Sequence, residues 1–114
     1  MDSKLIFIKS NKLLPKVAWE STPDFGWRYC GRSDDLEVAL LHQAFLSHLS
    51  TNLVYFVPDR NNSKLVANSE VFNLIAYNID KIEMAFWNEN FTKVIELKTF
   101  GVFRLGEVFA ELGM

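Results

Sequence analysis

Cysteine is nearly absent from this chain of 114 residues. Cys30 is the only one, which excludes an internal disulfide framework and a CxxC zinc site. Long apolar runs are missing too. The longest is Leu53 to Val57, far short of the ~20 residues that a spanning helix needs. Near the N-terminus only Leu5 to Ile8 are consecutively apolar, and Lys4 and Lys9 bound them. No secretory h-region is expected there. The five glycines and three prolines stand singly, so they punctuate turns and form no linker. No GxGxxG or GxxxxGK[ST] occurs, which disfavours the usual phosphate cradles.

Concentrated positive charge is also lacking. The net charge is −2 and the pI about 5.6. A nucleic-acid binder gathers Lys and Arg on one face, because phosphate neutralisation supplies much of its affinity. No basic run exists here, so no nucleic-acid partner is expected. The charge is nevertheless uneven. Residues 1–16 carry Lys4, Lys9, Lys12 and Lys16 against Asp2. These lysines read as solubilising charges along a strand and its loop. Ser33 to Asp59 holds no Lys or Arg, but contains Asp34, Asp35, Glu37 and Asp59.

What is present is an ordinary globular composition, 49% hydrophobic and 23% charged. A chain of 13.2 kDa can bury about two-thirds of its unfolded surface. One domain over 1–114 is expected. Lys4–Lys9 reads as a short strand, Ser10–Lys16 as a loop, and Val17–Glu20 and Trp27–Cys30 as further strands. The clearest helix spans about 34–50. Asp34 and Glu37 have capping-box spacing before its apolar residues. Those residues exceed one stripe, so this helix is covered from two directions or leaves an apolar strip for a partner. Leu53–Val57 and Lys64–Ala67 form a hairpin around Asp59–Ser63. Ser69 caps a short helix, although Val71–Ile75 fits a strand as well. Ile82, Met84 and Phe86 alternate as a half-buried strand, and Phe91–Thr99 returns beside it. Leu105, Val108, Phe109 and Leu112 are spaced as a short closing helix. The expected class is α+β: a mainly antiparallel sheet with the helices packed on one face.

Catalytic chemistry finds little support. A nucleophilic Cys30 needs a base, and His42 and His48 are the only histidines. Six residues apart on one helix, they point about 240° apart, so at most one could meet the thiol. Two histidines cannot make a His₃ metal site, and HExxH is absent. No metal and no cofactor are expected. Asp34, Asp35 and Glu37 read as helix-capping acids or as an acidic patch for a basic partner. Asp24-Phe25-Gly26-Trp27 follows a turn and can present an aromatic ring of the kind favoured at interfaces.

In general character this mildly acidic α+β chain, without catalytic or targeting motifs, resembles the small cytoplasmic immunity proteins of bacterial contact-dependent inhibition and other polymorphic toxin systems. The resemblance implies cytoplasmic, one-to-one binding of a cognate toxin domain, such as a nuclease, with its active site blocked. No membrane partner is expected. Partner-binding residues are expected among Asp34, Asp35, Glu37, Asp24, Phe25, Trp27 and Asp59. Two alternatives are a small enzyme using Cys30 with a helix histidine, and an accessory protein that forms a homodimer through helix 34–50.

Overall fold

The computed structural model describes residues 2–21, 26–31 and 33–108. The chain opens with helix α1, Ser3–Leu13. Asp2 caps it, its carboxylate accepting from the Leu5 amide at 2.9 Å, which satisfies an otherwise orphaned N–H. Strand β1 (Val17–Trp19) and the short β2 (Arg28–Tyr29) follow. A 3₁₀ turn at Ser33–Asp35 leads to α2, Val38–Ala44, which continues into a π-turn at Phe45–Leu49. The hairpin β3 (Leu53–Val57) and β4 (Lys64–Ala67) precedes α3, Val71–Asn78. Three strands complete the order: β5 (Met84–Trp87), β6 (Lys93–Lys98) and β7 (Val102–Val108).

These strands form one sheet in the order β1-β7-β6-β5-β3-β4, and β2 also pairs with β7. Every pairing is antiparallel. The α+β class stands. Strand side chains alternate between two faces, and each face has its own core. On one, Phe56, Phe86, Ile95 and Phe103 pack with Leu41 and Phe45 of the α2 segment and Ile75 of α3. On the other, Val57, Ala85, Trp87 and Val94 pack beneath Ile6 of α1. The helices therefore sit on both faces of the sheet, not on one. That is why all four residues of β5 are buried, where the alternation suggested a half-solvated strand.

Three other expectations change. Lys4–Lys9 is helix, not strand. Four consecutive apolar residues fit either period, and the Asp2 cap with the buried pair Ile6 and Ser10, four residues apart, settles it as helix. The single helix over 34–50 is broken. The Glu37 amide turns back to the Cys30 carbonyl at 2.8 Å, and Glu37 makes no side-chain cap. The closing helix is not formed at Leu105–Val108, which pair with β6 and β1 inside β7. Residues 109–112 lie outside the described residues.

Candidate protein-binding face

Gly31 fixes the approach to the acidic segment. Its φ is +76°, and a Cβ there would stand 2.2 Å from the Asp35 carbonyl oxygen, so the chain folds tightly back on itself. The following 3₁₀ turn leaves Asp34 and Asp35 exposed, and Glu37 and Val38 are exposed at the start of α2. From there the helix divides cleanly. Leu41, Ala44, Phe45 and Leu49 enter the core. Val38, Ala39, His42, Gln43, Leu46 and Ser47 line a shallow outward depression. Val38 is 49% and Leu46 52% exposed.

Among the described residues, no Lys or Arg lines the depression and the three acids make no ion pair; Arg32 lies outside the described residues. Arg28 comes near Gln43 and Ser47, but its guanidinium is paired with Glu20. His42 lies against Phe72, ring centres 5.3 Å apart. An apolar strip flanked by unopposed carboxylates can bury aliphatic surface while attracting cations.

The other expected site residues lie elsewhere. Trp27 is across the sheet. Arg104 sits between it and Trp19, with the guanidinium carbon 4.5 and 3.9 Å from the two ring centres. Arg104 also donates to Glu96 at 2.8 Å. Glu96 is two residues from Val94 on β6, so the cluster shares the α1 face of the sheet. Its aromatic faces and charges are already satisfied within the chain. Sequence reasoning did not join Trp27 to Trp19 and Arg104, because only the register of β7 on β1, β2 and β6 brings them together.

Asp59 lies in the β3–β4 loop, and β3 stands four places from β2 in the sheet. The Asn62 side chain (2.9 Å) and the Asn61 and Asn62 amides (2.8 and 2.9 Å) donate to its carboxylate. These bonds hold its pKa below the usual carboxylate range. The carboxylate organises its own loop, whereas Asp34, Asp35 and Glu37 are exposed acids that follow closely in the chain, on the 3₁₀ turn and just before α2. Asp24 and Phe25 lie outside the described residues.

Cys30 is fully buried, and burial pushes its thiol up to about 11. Neither histidine is hydrogen-bonded to it. His48 Nε2 lies 2.8 Å from the Gly106 carbonyl oxygen, and the thiol donates weakly to the Gly31 carbonyl. Among the described residues no three His, Cys, Asp or Glu side chains gather as metal ligands. No described helix is long and apolar enough to cross a membrane. No family model, curated protein or solved structure matches the chain.

Proposed function

We propose that this chain is a non-catalytic binding protein of the immunity type, which occupies the basic cleft of a cognate toxin domain with the outward face of α2. The observation that supports it is the juxtaposition on that face. Exposed Val38 and Leu46 line one depression on α2, and exposed Asp34, Asp35 and Glu37 precede it in the chain, with no arginine or lysine on α2 itself. Nucleases hold positive clefts for phosphate, and an acidic, partly apolar surface meets such a cleft with both attraction and desolvation. The setting proposed is the cytoplasm, with one partner domain per chain.

The test is to look beside the gene for a reading frame encoding a large secreted protein with a variable C-terminal domain, and to titrate that domain with this chain by calorimetry. Nanomolar one-to-one binding is expected, with inhibition of that domain's activity. Asp34→Lys with Asp35→Lys and Glu37→Lys should weaken it at least tenfold. Tight binding that the triple variant leaves unchanged would remove this face from the proposal. No binding and no inhibition would remove the function.

A further inference from the structure

The four N-terminal lysines acquire a new meaning once the segment is a helix. In a strand Lys4 and Lys9 would have bounded Leu5 to Ile8, with Lys12 and Lys16 in the loop beyond. In α1 and the turn after it, Ile6 and Ser10 turn to the sheet, and the opposite side shows Leu5, Ile8, Lys9, Lys12 and Lys16 together. They line one shallow depression with Leu13. Leu5 is 52% and Ile8 38% exposed. Lys4, Lys9, Lys12 and Lys16 make no ion pair among the described residues, although Lys9 Nζ lies 4.8 Å from the Phe91 ring centre. The only acid on this helix is Asp2, occupied at its cap.

We propose that this face of α1 docks on an anionic lipid surface. Charge complementarity gives the sign of the partner, and the two aliphatic side chains between the lysines narrow its kind. Phosphodiesters in a nucleic acid reward lysines but not Leu5 and Ile8. Protein interfaces favour Trp, Tyr and Arg, and are depleted in lysine. A bilayer interface rewards both parts of this pattern. Aliphatic tips enter the boundary of headgroups and acyl chains, while lysine stems extend their ammonium groups to the phosphates. Each lysine near such a surface multiplies partitioning about fivefold. The rest of the molecule supports the orientation. α1 lies on one side of the sheet and the acidic α2 face on the other, so repulsion of that face by the same lipids turns α1 inward. The contact is peripheral, so it is separate from the question of spanning segments.

Cosedimentation with vesicles of phosphatidylcholine, pure or with 30% phosphatidylserine, tests it. The serine lipid should raise partitioning at least tenfold in 50 mM salt, and 0.5 M salt should abolish the gain. Lys12→Glu with Lys16→Glu should lower it at least tenfold. Leu5→Ser with Ile8→Ser should lower it several-fold at unchanged charge. All four residues are exposed, and matching denaturation curves would show that the variants fold alike. Equal partitioning to the two vesicle types would overturn the proposal. So would indifference to the Leu5 and Ile8 changes, or equal affinity for polyglutamate or single-stranded DNA. The charge-reversed α2 triple variant should bind these vesicles at least as well as the unmodified chain, so the outcome stands apart from toxin binding.

Discussion

Ser10 and Cys30 are buried polar side chains whose roles follow from their partners. Ser10 is fully buried under α1, where its hydroxyl accepts from Trp87 Nε1 at 2.8 Å. Buried Trp N–H groups need such a partner. Ser10→Ala leaves the indole donor unmatched in a dry core, and a loss of about 1–3 kcal/mol is expected. Urea unfolding followed by tryptophan fluorescence measures it. Cys30 concerns pH. Its folded pKa is raised to about 11 from an ordinary value of 9.0, because burial disfavours the thiolate. The folded state therefore keeps the proton after the unfolded state has lost it. That contribution is complete below pH 9 and is lost as pH rises through about 11. Thermal unfolding from pH 8 to 11 should show a steeper alkaline loss in the native chain than in Cys30→Ala. A thiol reagent at pH 8 should label the folded chain far more slowly than the urea-unfolded one.

At the level of elements, β7 organises much of the sheet. It pairs with β6 along one edge and with β1 and β2 along the other. Gly106 is the residue that allows this. A Cβ there would meet Val17 at 2.3 Å and the Trp19 ring at 2.6 Å. Gly106→Ala should push Trp19 off the sheet, release β1, and cost about 2 kcal/mol or more, as overpacking does. Loss of hydrogen-exchange protection at the amides of β1 checks it. The same strand shows where the sequence was legible and where it was not. The β3–β4 hairpin and β6 were readable, because their patterns are set by neighbours in sequence and by turn residues such as Asp59 and Asn62; α3 was one of two readings of Val71–Ile75, and Glu70, not Ser69, stands at its N-cap. β7 was not. Leu105 and Val108 stand at helical spacing, and Gly106 weakens a strand reading. Only tertiary pairing makes Gly106 the right residue there. The α2 segment was read too long for a related reason. Asp34 and Glu37 have the spacing of a capping box, but Gly31 and the return of the Glu37 amide to Cys30 prevent it. The run of acids Asp34, Asp35 and Glu37 was legible, and the structure shows them exposed. The partner residues of Trp27 were not.

At the scale of the whole molecule, a net charge of −2 conceals an arrangement in layers. Lysines and aliphatics face outward from α1, carboxylates and aliphatics from the α2 segment, and the sheet with its two cores separates them. Such a separation gives each side its own electrostatic character, although the sum is nearly neutral. For the proposed toxin complex this makes a kinetic prediction. Steering by Asp34, Asp35 and Glu37 acts during approach, where water still screens the charges, so its effect belongs mainly to the association rate. Desolvation of Val38 and Leu46 occurs only on contact, so its effect belongs mainly to dissociation. Asn at positions 34 and 35 with Gln at 37 should slow association about tenfold at 20 mM salt and flatten its salt dependence. Dissociation should hardly change. Leu46→Ala should instead speed dissociation by several-fold or more, because it removes apolar surface that is buried only on contact. Stopped-flow association with surface-plasmon dissociation separates the two. If both variants changed only the dissociation rate, the acids would be contact residues and not a steering field. The charge layers would then have no part in how the complex forms.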